Sequence, residues 1–412
     1  MTETYDVVVI GSGVAGLSAA MRLAMGGAKV VVLERSRLAS GSTSRASGLI
    51  GQMRSNVDST RLIMDSVGLL REIEDRFGRS LFHQTGSVRV AQTPARVEEL
   101  QKDVRVAREA GLAVDWIDPP SLEERLPLVR TEDVLSAVYV PTDGYLEPPE
   151  LAEAYLSIGR QEGVRFIENS PVESVLVESG KLKGVRTATD VFSAPNVVNA
   201  GGPWSYLVAA KGNSRLPTAA VAHYYFTTLS DSGVRSDPGE PTLRDRENRI
   251  YSRPRKGALR VGIYETSPVG CDMERLPDNF SMGKMTAGKD HPTIRALVEA
   301  SARRFEGISM RTPMEITGGI MSFTPDGRPV LGELPEVSGF FHCSGFCGHG
   351  ITQSPAIGRA VAEWILEGRC RYNVTDLEAD RFQDIPGLEN RESIQKACLE
   401  CYSNYYGPAA AR

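Results

Sequence analysis

The stretch Asp6-Val7-Val8-Val9-Ile10-Gly11-Ser12-Gly13-Val14-Ala15-Gly16 decides the fold, together with Leu17 to Met25, Gly26-Gly27 and Lys29 to Glu34. Asp6 to Ile10 is a short, continuously apolar run rich in β-branched residues, the pattern of a strand buried on both faces of a parallel sheet. Leu17 to Met25 carries small and apolar residues at helical spacing. Gly26-Gly27 ends that helix, and Lys29 to Leu33 is a second buried strand closed by Glu34. Strand, glycine turn, helix and strand in this order make a βαβ unit. Gly11, Gly13 and Gly16 form G-x-G-x-x-G: the first allows a tight turn, the second close approach of backbone to a pyrophosphate, the third close packing of helix on strand. Val14 and Ala15 open a helix whose free N–H groups and positive potential suit phosphates. Glu34 stands 18 residues past Gly16, where a carboxylate accepts from ribose hydroxyls and repels a 2′-phosphate.

The turn by itself does not separate NAD from FAD. The next segment does. Ser40-Gly41-Ser42-Thr43-Ser44-Arg45-Ala46-Ser47-Gly48-Leu49 is a second small, polar loop, of the kind that holds a ribityl chain and ring edge. No second G-x-G-x-x-G follows a strand, so a separate nicotinamide site is not visible.

Working outward, helices are expected over Asp58 to Arg79 (capped by Asp58 or Ser59), Pro94 to Gly111, Ser121 to Arg130, Pro148 to Glu162, Thr293 to Phe305 and Thr352 to Glu367. Short strands are expected between Val164 and Asn199, and Ala219 to Glu265 alternates like sheet. The basic stretch Arg253-Pro254-Arg255-Lys256 reads as a solvated hairpin. The 412 residues hold 47 Lys+Arg against 52 Asp+Glu, a net charge of −5, which argues against a general nucleic-acid binder. No apolar run reaches the roughly 18–20 residues of a membrane helix. The start lacks a basic region followed by an apolar one, so no secretory signal is read, and six cysteines without a signal suggest reduced thiols. The expectation is a cytoplasmic protein with no membrane span. His342-Cys343, Cys347, His349, Cys398 and Cys401 could be read as a zinc cluster, but its first pair spans the cofactor-facing turn, so no metal is expected.

Further segments carry a resemblance: Gly41-Ser42-Thr43 leading to Gly48-Leu49-Ile50-Gly51-Gln52-Met53-Arg54, His83 to Arg89, Asp143 to Pro148, Asn199-Ala200-Gly201-Gly202-Pro203-Trp204, Ser322 to Pro329, and Gly345-Phe346-Cys347-Gly348-His349-Gly350-Ile351. With these the chain resembles the D-amino-acid-oxidase-like flavoenzymes, nearest to the flavin half of dimethylglycine and sarcosine dehydrogenases and to the sarcosine oxidases. The resemblance runs from residue 5 to about 406. It implies an α/β plus antiparallel-β fold: a Rossmann-like FAD-binding domain (1–85, 145–210 and 315–372), an interleaved antiparallel-sheet substrate domain (86–144 and 211–314) and a tail (373–412). It implies oxidation of a C–N bond in a small secondary or tertiary amine of the N-methyl amino acid type, with hydride transfer to flavin N5 and hydrolysis of the imine. A cyclic imino-acid or D-amino-acid dehydrogenase is the alternative, and a flavin electron-relay subunit of a larger assembly is an alternative of another class. Oxygen or an electron carrier would reoxidise the flavin.

The residues expected at FAD are Gly11, Gly13, Val14, Ala15, Gly16, Glu34 and Arg35; Ser42, Thr43, Arg45, Ser47, Gly48, Leu49 and Ile50; Val172, Ala200, Gly201 and Trp204; and Gly345, Gly348, His349, Gly350, Ile351 and Thr352. Relatives link a His or a Cys covalently to the flavin; Arg45 and Gly319 stand at those places here, so dissociable FAD is expected. The chain reads as lacking the folate-binding module that follows the flavin half in the dehydrogenases. By the same resemblance His223 and Tyr251 face the flavin across the substrate. A neutral imidazole can take the ammonium proton, and a phenol can relay it or bind a carboxylate. Arg260 stands near the strand position of an oxygen-activating Lys, although alternation would turn it outward. His349 opens the last flavin-facing helix. Met321 replaces the carboxylate-binding Arg of glycine-oxidase-type enzymes.

Overall fold

The structure is a computed structural model and describes residues 2–276, 285, 287–383 and 385–406. The apolar runs of the opening unit form the centre of a six-stranded sheet in the order Arg165–Ile167, Val30–Leu33, Val7–Ile10, Asn196–Asn199, Phe340–Ser344, Val330–Glu333. The first five strands are parallel and the last is antiparallel to its neighbour. Val7, Val8 and Val9 are fully buried, as a strand covered on both faces requires. The helices Val14–Met25 and Gly350–Glu367 lie against each other over this sheet. Their backbones approach so closely that a Cβ on Gly358 would stand 2.1 Å from Ser18 Oγ.

A second sheet has nine strands. Its path runs Gly270–Cys271, Ala219–Thr228, Ala258–Ile263, Ile250–Arg255, Thr242–Asp245, Ser87–Ala91, Ser136–Val140, Asp115–Ile117. Met314–Phe323 pairs along its whole length with Ala219–Thr228. One face of this sheet turns toward the carboxyl ends of the parallel strands. The last described helix, Arg391–Tyr405, packs across the same region.

Several local expectations are corrected. The helix Val57–Phe77 is capped by Asn56, whose Oδ1 accepts from Ser59 N at 2.8 Å, rather than by Asp58 or Ser59. The helix expected over Ser121 to Arg130 spans Pro119–Arg125 instead; Pro127 excludes helical backbone at the residue before it. The basic stretch does form a hairpin, but Arg253 is fully buried and pairs with Glu147 at 2.8 Å. No helix among the described residues is long and apolar enough to cross a membrane.

Candidate active site

Between the two sheets lies a cleft of about 950 Å³. At its inner end the turn after Val7–Ile10 is shaped by its glycines. Gly11 has φ +100°, and a Cβ there would meet Ala200 O at 2.5 Å. A Cβ on Gly16 would meet Gly11 O at 2.1 Å, so this glycine serves helix–strand packing and does not line the cleft. A Cβ on Gly13 would only touch Thr43 Oγ at 3.4 Å, and Gly13 itself lines the cleft beside the helix start. Thr43 Oγ accepts from Val14 N at 3.0 Å and fixes the second loop against this helix. Glu34 receives Ser12 N at 3.0 Å, Ser12 Oγ at 2.6 Å and Ser36 N at 2.9 Å, which sets its carboxylate at the cleft wall. The Arg35 guanidinium lies 4.6 Å above the Trp204 ring.

Gly11, Gly13, Val14, Ala15, Glu34 and Arg35 therefore line one continuous wall with Ser42, Thr43, Arg45, Ser47, Gly48 and Leu49. Ala200, Gly201, Trp204, Gly348, His349, Gly350 and Ile351 complete it. Ile50 and Val172 are buried in apolar clusters behind it. Gly345 packs against Thr324, and Thr352 Oγ donates to Leu49 O at 3.1 Å. The glycine cradle, accessible helix start, placed carboxylate and polar second loop fit an FAD stretched along the cleft.

At the other end the sheet's alternation places one set of side chains toward the cleft. Arg89, Arg244, Tyr251 and Gly262 stand in register on four successive strands, and His223 lies on the same face two residues from Tyr225, the partner of Gly262. His223 Nε2 is 2.8 Å from Tyr251 Oη, and its Nδ1 is 3.0 Å from Glu265 Oε2. Glu265 also receives Tyr224 N at 3.1 Å and the Tyr402 hydroxyl from the last described helix. With a carboxylate accepting at Nδ1, the neutral ring carries its proton there and leaves Nε2 to accept from Tyr251. Burial pushes the phenols of Tyr251 and Tyr402 well above their usual range, so both stay protonated. His223 and Tyr251 both line the cleft.

Arg260 does not. It is buried under the cleft, with its guanidinium 4.5 Å from the Tyr225 ring and Nε donating to Thr227 Oγ at 3.2 Å. It does not point outward either: two residues from Gly262 it shares that strand face, where its Nη1 donates to Ser47 O at 3.4 Å. His349 caps the helix Gly350–Glu367, next to Cys347 and Gly348 with φ of 51° and 80°. Burial, and after it the cations Arg54, Arg244 and Arg89, holds its imidazole well below its usual range. It is a neutral group beside a helix start. His342 turns away from the cleft toward Asn199, 3.1 Å distant. No group of three or more His, Cys, Asp or Glu among the described residues is arranged to hold a metal.

Sequence reasoning missed Glu265, Tyr402 and the three arginines. Arg54 and Arg89 sat within quoted motifs, but nothing in their spacing indicated which way they point.

The parallel sheet with its glycine turn, joined to a cap sheet whose polar face closes a long cleft, defines a flavoenzyme of the two-lobed oxidoreductase class. The model of the FAD dependent oxidoreductase family matches residues 6–364, and the chain belongs to that family. It is 30% identical to sarcosine dehydrogenase, mitochondrial, of Homo sapiens over 93% of this chain and 42% of the relative. It is 29% identical to dimethylglycine dehydrogenase, mitochondrial, of Homo sapiens over 92% of this chain and 44% of the relative. The chain thus spans less than half the length of these curated relatives. Among solved structures it superposes on L-proline dehydrogenase from P. horikoshii with a TM-score of 0.82 and 25% identity, covering 93% of this chain and 99% of that one.

Proposed function

We propose that the protein oxidises the C–N bond of a small secondary or tertiary amine of the N-methyl amino acid type. The observation that carries this reading is the Tyr251–His223–Glu265 chain opening into the same cleft as the His349 turn. Bound FAD supplies the two-electron acceptor. The chain's own residues handle the proton. An amine enters as an ammonium and must lose a proton before its lone pair can assist C–H cleavage. Tyr251 takes that proton at Oη while giving its own to His223 Nε2, and Glu265 stabilises the imidazolium that results. The high proton affinity of the buried phenol favours this concerted transfer over an ionised tyrosinate. The helix start at Gly350 would offer backbone N–H groups and positive potential to bound FAD.

The sarcosine and dimethylglycine dehydrogenases among the relatives support an N-methyl donor. The likeness to L-proline dehydrogenase supports a cyclic imino acid as the second reading. Donors of both kinds enter as ammonium ions and need the same proton relay. Anaerobic addition of a panel of N-methyl amino acids and cyclic imino acids to the yellow protein tests the proposal. Bleaching by at least one is expected, and a flavin that no amine bleaches overturns it. Air-saturated and carrier-containing buffers then distinguish oxygen from a carrier as acceptor.

A further inference from the structure

Arg89 and Arg244 occupy matched positions on two neighbouring parallel strands, facing the cleft. Strands in a sheet lie about 4.8 Å apart, and like charges directly opposite one another destabilise the pairing. Arg54 joins them from the loop after Leu49–Ile50, also lining the cleft. Room is made for this crowd: a Cβ on Gly51 would stand 2.6 Å from Arg244 Nη1. The compensation is incomplete. Arg89 has Asp103 at 3.5 Å. Asp143 is close enough to act on Arg54 and Arg89, but its oxygens are held by Gln52 N, Gln52 Nε2 and Ser87 Oγ. Arg246, the next cation on this face, is paired with Glu99 at 2.6 Å. Three guanidiniums against these two carboxylates leave one net positive charge.

The donors tell more than the charge. Arg54 Nη1 and Arg89 Nη2 both give to Met53 O, at 2.8 and 3.0 Å, and Arg244 bonds the Tyr264 side chain. Arg54 Nε and Nη2, Arg89 Nε and Arg244 Nη1 are buried with no hydrogen-bond partner among the described residues. Nε and Nη2 of Arg54 make up one edge of the guanidinium, the fork that holds both oxygens of a single carboxylate. That leaves donors on Arg89 and Arg244, side by side on their strands, which a single carboxylate on Arg54 would not fill.

We propose that Arg89 and Arg244 form a second acid subsite, and that the substrate is an N-alkyl amino acid carrying a side-chain carboxylate besides its α-carboxylate. This rests on the amine-oxidation reading above and narrows it. A second carboxylate fills Arg89 Nε and Arg244 Nη1, whereas a substrate with a single carboxylate on Arg54 leaves these buried donors without a partner. A buried charged donor left without a partner is costly, so the two classes are discriminated.

The test uses the FAD-loaded protein in two measurements. The first follows flavin absorbance on anaerobic addition of N-methylaspartate, N-methylglutamate, N-methylalanine and sarcosine. The second follows flavin difference spectra with non-reacting succinate and glutarate against propionate and butyrate. Diacids should bind at least about tenfold more tightly than monoacids in both, the size of effect a charge-assisted pair gives. Arg89→Gln should bring the ratio close to one, and Arg89→Lys should retain part of it, with thermal melting used to confirm that each is folded. Equal affinity for mono- and diacids, or a ratio that Arg89→Gln leaves unchanged, overturns the subsite. If diacids are preferred but no amine bleaches the flavin, the oxidation reading falls and the subsite stands. If sarcosine bleaches it as readily as N-methylaspartate, the subsite falls and the oxidation reading stands.

Discussion

The ring of Tyr251 lies across Gly262 on the neighbouring strand: a Cβ at 262 would stand 2.1 Å from Tyr251 Cζ and 2.2 Å from its Oη. The missing side chain is what lets the phenol lie flat and reach His223. Gly262→Ala should tilt the ring and break the 2.8 Å contact to His223 while sparing the distant dinucleotide turn. Anaerobic flavin reduction should slow by about tenfold to a hundredfold, within the range of a misplaced proton-transfer group. An alanine variant reducing at the wild-type rate would show that the phenol is not in the proton path.

Direct removal of the relay should cost more. His223→Ala is expected to slow flavin reduction by about 10²–10⁴-fold with FAD still bound. Tyr251→Phe should slow it comparably, because the phenol stands between the amine and the imidazole. Glu265→Gln should have a smaller effect on rate and should alter the pH profile, since it acts only through His223. Stopped-flow reduction over a pH series separates the three, and wild-type rates in the first two would remove the relay.

FAD should be held without a covalent bond. Arg45 and Gly319 face one another closely, with a Cβ at 319 only 2.9 Å from Arg45 Cβ, and neither offers a nucleophile. Acid precipitation should leave the yellow colour in the supernatant; flavin in the washed pellet would contradict this. Glu34→Arg should weaken FAD binding strongly, because it replaces the carboxylate held by Ser12 and Ser36 with a cation. Fluorescence of released flavin on dilution measures that loss.

Stability should fall on the acid side. His342 is fully buried, and burial lowers its imidazole to about 3, while the unfolded group titrates near 6.5. A lowered folded-state value means that the unfolded chain binds the proton first. Stability is therefore full above about pH 6.5 and is lost as pH falls toward 3, on the order of 1 kcal/mol per pH unit for this one group. His349, also held well below its usual range, adds to the same slope. Chemical denaturation between pH 7 and 4.5 should show the decline, and His342→Asn should flatten it. An unchanged slope in that variant would mean that His342 is protonated in the folded protein.

The nucleotide-binding half was legible because its signals are local. Gly11, Gly13, Gly16 and Glu34 lie within one βαβ unit, and Gly11 and Gly16 meet steric needs that the sequence spacing already expressed. The pairing of His223 with Tyr251 came from resemblance, and the geometry brings those two side chains together. Glu265 was not legible, because its partners are 42 and 137 residues away and no periodicity connects them. Arg253 was misread for a related reason. A run of basic residues looks solvated until the chain supplies Glu147 from a distant helix start, and that pairing is tertiary. Arg89 and Arg244 sit at ordinary alternating positions; only the strand register makes them neighbours.

The helix Arg391–Tyr405 brings Tyr402 to Glu265, and Tyr406 just beyond it stacks on Tyr264 at 4.2 Å between ring centroids. The cleft therefore joins a glycine turn near residue 11 to a phenol at residue 406, with most of the sequence looping out between them. During synthesis the dinucleotide turn emerges early, but its pocket has no far wall until the helix Arg391–Tyr405 has left the ribosome and docked. Contacts this distant in sequence close slowly, since the entropy of the intervening loop is lost before they form. Capture of the cofactor thus waits on that docking, and a chain stalled before residue 391 would hold the opening motif intact yet have no chamber in which to use it.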